Sequence, residues 1–163
     1  PIVAFFLKGY LSPVLDTPVN IINAPFIAKE RGINIVKSTR EAGLNFKEFI
    51  KITAKTQDKE VVVGGTAFYD KLPRIMLVDN YWIDIEPYGV ILMFENRDVP
   101  GVIGKIGTLL ARHNINIAGF RLGRLEKGKI ALGALQLDDK LNEAVLDEIH
   151  QLPEIIKAKQ VIL

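Results

Sequence analysis

Two stretches of helical spacing, each following an apolar run of strand length, fill the second half of the chain and leave few folds open. Val90-Ile91-Leu92-Met93-Phe94 is a continuous apolar run, too short for a helix and rich enough for a buried strand. Pro100 and Gly101 then open a helix from Gly101 to His113, with Val102, Ile103, Ile106, Leu109 and Leu110 on one stripe of 3.6-residue period. Gly104 and Gly107 weaken that helix by roughly 1 kcal/mol each relative to alanine. The five aliphatic side chains offer roughly 1.5–3 kcal/mol each on burial, before chain entropy, and outweigh the glycines. His113-Asn114 ends the helix, Ile115 to Leu125 reads as a strand, and Glu126-Lys127-Gly128-Lys129 is a tight polar turn into a hairpin strand, Ile130 to Leu137. Asp138-Asp139 is expected to cap a second helix carrying Leu141, Val145, Ile149 and Leu152, which Pro153 stops before a closing strand, Ile155 to Leu163. The order βαββαβ predicts a ferredoxin-like unit with both helices on one face of the sheet.

The first half has a looser grammar. Strand signals occur at Ile2–Leu7, Ile33–Ser38, Phe46–Ala54, Val61–Phe68, Ile75–Val78 and Tyr81–Ile85. A helical stretch runs from about Val19 to Arg31, with Pro25 inside it and Gly32 closing it. Gln57-Asp58-Lys59-Glu60 and Asp79-Asn80 read as hairpin turns. The expectation is a mostly antiparallel α+β domain over residues 1–87, a Pro/Gly link near Glu86–Gly89, and a second domain over 88–163. The chain begins at Pro1, without methionine, and enters an apolar run at once; we expect a piece of a longer protein.

Composition narrows the function classes. Of 163 residues, 48% are hydrophobic and 25% charged, as in ordinary globular domains, and a net charge of +2 is too small to mark a nucleic-acid surface. No apolar run approaches a membrane span of roughly 18 residues. The absence of cysteine excludes disulfides and thiolate metal sites and fits a cytoplasmic location. His113 and His150 lie far apart without a carboxylate cluster at ligand spacing, so no metal is expected. No Ser–His–Asp, Cys–His or paired-carboxylate arrangement signals catalysis. Gly101-x-x-Gly104-Lys105-x-Gly107-Thr108 has neither the spacing of a phosphate loop nor that of a dinucleotide fingerprint.

One segment carries chemistry. Asn96-Arg97-Asp98-Val99-Pro100-Gly101-Val102 takes the chain from a strand into a helix, and aims unpaired N–H groups and the positive end of the helix dipole at one spot. A carboxylate suits that spot. Asp98 beside it can meet an ammonium group or, more simply, cap the helix, and the amide of Asn96 can donate and accept. Asn116, after the helix, can reach the same turn of a neighbouring copy or serve as a turn residue. Arg74, with Gly65 and Thr66, could hold a small anion; the plainer reading is a solvated arginine near a β-bulge. Trp82, the single tryptophan, reads as core or interface.

The stretches Gly89 to Gly107 and His113-Asn114-Ile115-Asn116-Ile117-Ala118-Gly119 resemble an ACT domain, an amino-acid-sensing module. Val19 to Gly32 together with Gly65-Thr66 is similar to the intervening, allosteric substrate-binding domain of the long-type D-3-phosphoglycerate dehydrogenase family. The resemblance implies a parent enzyme that oxidises 3-phosphoglycerate with NAD in serine biosynthesis, its catalytic and NAD-binding domains lying ahead of this region. It implies no catalytic residue or cofactor in the chain itself. It places Asn96, Asp98, Pro100, Gly101, Val102 and Asn116 at an effector site for L-serine or a related amino acid, on a homodimer seam between ACT domains of a tetrameric parent. Arg74 matches a basic residue of an anion site, where Trp82 and Glu86 stand at positions that are basic in some relatives. The other readings are the regulatory part of an L-serine dehydratase and a ligand-free oligomerisation module.

Overall fold

The computed structural model describes residues 2–39, 46, 48–69 and 71–163, which fall into two compact units, Pro1–Glu41 and Ala42–Leu163. The first holds α1 (Ile2–Leu11), a 3₁₀ turn over Ser12–Val14, and α2 (Ala24–Glu30). The opening apolar run is therefore helix, not the expected strand. A short run of this kind reads either way locally. What decides is that Val3, Leu7 and Leu11 recur every four residues, so one helix face reaches Ala24 and Ala28 of α2 in a small core. Phe6 and Tyr10 stack at the same spacing, centroids 5.8 Å apart.

The helix α2 is shorter than its signal. Asn20 and Asn23 divert the chain before it: the Asn20 side chain accepts from the N–H groups of Ile22 and Asn23 at 2.8 and 2.9 Å, and that of Asn23 accepts from Asn20 N–H at 2.7 Å. Asparagine side chains compete with the helix for such donors. Pro25 then lies in the first turn, where its missing N–H costs nothing. Gly32, at φ +70°, closes the helix while Ile33 N–H donates back to Ala28 O at 2.9 Å. The strand expected over Ile33–Ser38 does not form; Ile35 and Val36 are exposed and no described strand pairs with them.

In the second unit, β1 (Ile50–Lys55), β2 (Glu60–Phe68), β3 (Leu72–Val78) and β4 (Tyr81–Ile85) form an antiparallel meander in chain order. The strand expected from Phe46 begins only at Ile50, and residue 47 lies outside the described residues. Phe46 and Phe49 instead stack on each other, centroids 5.5 Å apart, and both meet Trp82, Phe46 stacked at 6.4 Å and Phe49 tilted at 5.9 Å. The register slips between Gly64 and Gly65, where β2 faces β3.

Glu86–Gly89 leads to the second sheet, of β5 (Val90–Arg97), β6 (Ile117–Arg124), β7 (Ile130–Leu137) and β8 (Ile155–Ile162). Its order is β6-β7-β5-β8, antiparallel throughout, the order of a ferredoxin-like sheet. The helices α3 (Val102–Arg112) and α4 (Glu143–His150) share one core with Leu92 and Phe94 of β5 and Leu135 and Leu137 of β7. Alternation sends Ile91, Leu132 and Ala134 to the opposite face, where they meet Ile83 and Ile85 of β4. The α4 cap is a correction: Asn142 provides it, accepting from Val145 N–H at 3.0 Å, and not Asp138-Asp139. Leu141 precedes the helix, buried, its backbone held by the Gln160 side chain at 2.6 and 3.2 Å.

Candidate functional site

The turn from β5 into α3 is built from a glycine outwards. Gly101 precedes the helix at φ +93°, a conformation open to glycine and strained for other residues. It lets the chain reverse after Pro100 and points Val102 into the core, 3% exposed. The first bond of the helical pattern runs from Lys105 N–H to Gly101 O at 2.9 Å, so the N–H groups before it have no helical carbonyl to meet. No side chain caps this end. The cap expected of Asp98 is therefore absent, because its carboxylate is engaged elsewhere.

Asp98 ties the turn to the β6–β7 hairpin. Its Oδ2 accepts from Gly128 N–H at 3.0 Å and from Arg124 at 3.1 Å, while its own N–H donates to Lys129 O at 2.8 Å. The Gly128 bond, then the Arg124 guanidinium, hold its carboxyl below the usual carboxylate range. Both bonds fall on one oxygen, which leaves Oδ1 for another donor. Asn96 lies on the helix-side face of β5, the side of Leu92 and Phe94, and is 3% exposed. Its Nδ2 donates to Arg97 O at 2.7 Å, whereas its Oδ1 is buried without a partner among the described residues. A buried carbonyl oxygen in that state is costly unless a donor arrives.

Beside the turn, an open groove of about 480 Å³ runs along α3, lined by Gly101, Gly104, Lys105, Thr108 and Arg112 among others. Glu154 pairs with Lys105 at its edge, and this bond pulls the Glu154 carboxyl down from its ordinary range. Asn116 is exposed at the opposite end of α3, donating to Asp138 Oδ2 at 2.7 Å. The eleven residues of α3 set that end roughly 16 Å from Gly101 at 1.5 Å per residue. One chain therefore brings Asn96, Asp98, Pro100, Gly101 and Val102 together and keeps Asn116 away from them.

Arg74 and Thr66 are cross-strand neighbours beside the Gly64/Gly65 irregularity. The Thr66 hydroxyl donates to Glu48 O at 2.5 Å, and Arg74 pairs with Asp84 and Glu86 at 3.4 and 2.5 Å. A Cβ at Gly65 would lie 2.6 Å from the Arg74 carbonyl oxygen, so the two strands need a glycine there. His113 pairs with Glu148 at 2.8 Å and His150 with Ala158 O at 2.9 Å, both as links between elements. Sequence reasoning missed Arg124 and Gly128, although a hairpin turn facing the β5–α3 turn follows from the ferredoxin-like order. It also missed Glu154, which lies 49 residues from Lys105 and leaves no local signal. No described helix is long and apolar enough to cross a membrane.

Comparison with known proteins agrees with this architecture. Residues 1–79 match the D-3-phosphoglycerate dehydrogenase intervening domain, and residues 90–154 match the ACT domain. The D-3-phosphoglycerate dehydrogenase of Methanocaldococcus jannaschii is 39% identical over 150 residues, covering 92% of this chain and 28% of that protein. That of Archaeoglobus fulgidus is 37% identical over 159 residues, 96% of this chain and 30% of that protein. The Synechocystis enzyme of the same name is 36% identical over 163 residues, 100% of this chain and 29% of its own length. The chain thus spans no more than 30% of the length of each of these relatives. With the intervening domain of D-3-phosphoglycerate dehydrogenase over residues 1–79 and an ACT domain over residues 90–154, the chain belongs to the D-3-phosphoglycerate dehydrogenase family and corresponds to a regulatory part of it.

Proposed function

We propose that this chain regulates a D-3-phosphoglycerate dehydrogenase by binding L-serine, or a closely similar amino acid, between the ACT domains of two copies. Residues 1–87 act as the intervening domain and residues 88–163 as the ACT domain. The NAD-dependent oxidation of 3-phosphoglycerate belongs to other parts of the parent enzyme, and this chain contributes no catalytic group. The effector carboxylate meets the N–H groups of Gly101 and Val102 at the start of α3, Asn96 and Asp98 Oδ1 face its polar groups, and Asn116 of a second copy completes the site.

The observation that carries this reading is the separation along α3. Asn116 and the Gly101 turn stand at opposite ends of one helix, so both can touch one small molecule only when two copies lie head to tail. A ligand on such a seam favours the domain arrangement that closes it, with a coupling of roughly 1–3 kcal/mol. The unpartnered Asn96 Oδ1 supports the polar character of the near side.

Calorimetry with L-serine tests it. The chain should bind serine with a stoichiometry set by the dimer, and Asn116→Ala should weaken binding at least about tenfold, the loss of one good hydrogen bond to a charged or polar group. Serine should also shift sedimentation towards the dimer. An Asn116→Ala isotherm identical to wild type, with serine bound to a chain that stays monomeric in sedimentation, would refute the shared site.

A further inference from the structure

Asn116 follows a closed helix end. The N–H groups of His113 and Ile115 both donate to Leu110 O at 3.0 Å, and Asn114 takes the turn at φ +55°. Ile115 and Ile117, on either side of Asn116, pack against the ACT core. Ile117 then opens the β6 ladder opposite Leu137, and Asp138 N–H donates to Asn116 O at 3.2 Å as one more rung. The backbone of Asn116 is thus fixed, and the torsions of its side chain are the freedom that remains.

Asp138 takes up that freedom. Asn116 Nδ2 donates to Asp138 Oδ2 at 2.7 Å. An ionised carboxylate has no proton to give, so the amide must turn its nitrogen, and not its oxygen, towards Asp138. Asn116 Oδ1 is then the end of the amide turned away from Asp138. Donating to a charged acceptor also polarises the amide and strengthens Oδ1 as an acceptor. Both side chains are exposed. Water replaces a hydrogen bond easily there, so the pair adds little to folding stability. What it fixes is the polarity that Asn116 presents.

We propose that Asp138 is a positioning residue for Asn116 and thereby selects effectors that carry a cationic amine. This rests on the effector reading of Asn116 given above. With the effector carboxylate on the Gly101 and Val102 N–H groups of one copy, its ammonium group needs an acceptor. Asn116 of the second copy, oriented by the Asp138 of that copy, offers Oδ1. An unrestrained amide would be free to turn its NH2 outward and donate to a ligand hydroxyl oxygen instead. The Asp138 carboxylate opposes that rotation. The site therefore prefers 2-amino acids to 2-hydroxy acids of the same shape, through a residue that acts by way of Asn116.

Calorimetry with L-serine and with L-glycerate, which has a hydroxyl in place of the amine, tests this. Wild type should bind serine more tightly than glycerate. Asp138→Ala should weaken serine binding about tenfold and glycerate binding little, so the preference narrows. Asp138→Asn, whose amide can donate to Asn116 Oδ1 and reverse it, should behave as the alanine variant does. In an Asn116→Ala background Asp138→Ala should change serine affinity no further, because the two side chains act as one unit. The urea midpoint should stay at that of wild type in both Asp138 variants. Wild-type serine affinity in Asp138→Ala, with Asn116→Ala still weakened, would overturn the positioning role and leave the effector site standing. Equal losses for serine and glycerate would overturn selection by the amine. Additive losses in the double variant would overturn action through Asn116. A wild type that binds no serine would overturn the effector reading and the role of Asp138 with it.

Discussion

The two sheets of the larger unit have the same number of strands and the same antiparallel pairing, yet they differ sharply in cover. In β7 of the ACT sheet six of eight positions are buried, whereas β1 of the first sheet has none. The reason is layering. β7 is an inner strand with α3 and α4 on one face and β4 on the other, so its residues lose solvent on both sides. β1 is an edge strand, and the core clusters do not reach it. The β5–α3 turn is thus mounted on the well-covered sheet, and Arg74 on the sheet that can move more cheaply. Elements with few buried contacts open at low free energy.

The comparison can be broken most directly in the cores. Phe94→Ala, at a ring 1% exposed, should destabilise the chain by about 3–5 kcal/mol. Val63→Ala on β2, 37% exposed, should cost less than about 1 kcal/mol. Urea unfolding measures both, and similar costs would show that the sheets are equally covered. Next in size is the seam between the sheets. A Cβ at Gly123 of β6 would lie 3.0 Å from Trp82 O and 3.2 Å from Tyr81 Cβ. Gly123→Ala should therefore cost about 1–3 kcal/mol by overpacking. Gly119→Ala on the same strand meets only Gln136 at 3.7 Å and should stay within about 0.5 kcal/mol of wild type. If the two substitutions behave alike, β4 does not press on β6.

Asn142→Ala removes the α4 cap and should lower the urea midpoint by the equivalent of about 1 kcal/mol. Asp138→Ala should do less at that helix, since Asp138 caps nothing. The smallest effect is a pH dependence. Asp98 has its carboxyl held low by Gly128 N–H and Arg124, so its native pKa lies below its unfolded one. Its contribution is complete above the unfolded value of about 3.9 and fades as pH falls through the depressed native value. The stability gap between wild type and Asp98→Asn should thus be constant near neutrality and narrow in acid. A gap that widened in acid would contradict the Asp98–hairpin link.

How far this was legible follows from range. The ACT strands and α3 were readable because their apolar periodicity arises from contacts that repeat along the chain: Val102, Ile106, Leu109 and Leu110 all fall on the buried face. Gly101 and Gly32 were readable as turn residues because positive φ is a local demand. The opening strand was misread because Ile2–Leu7 is apolar all round, and only the distant Ala24 and Ala28 select its helical face. In the candidate site, the turn itself could be named in advance. The grip of Gly128 on Asp98, of Glu154 on Lys105 and of Glu86 on Arg74 could not, because each joins residues that only folding brings near.

What the amino-acid sequence determined alone is the βαββαβ order of the second module, its turn chemistry at Pro100-Gly101, and the membership that these carry. Periodicity and backbone sterics act within a few residues, so they are written locally. Tertiary structure decided the rest: that the opening segment is a helix, that Asn142 caps α4, that Asn96 is buried with one oxygen unmatched, and that Arg74 already has its anions. Those outcomes depend on which surfaces meet across the fold, where burial raises the cost of every unpaired polar atom and makes a distant partner decisive.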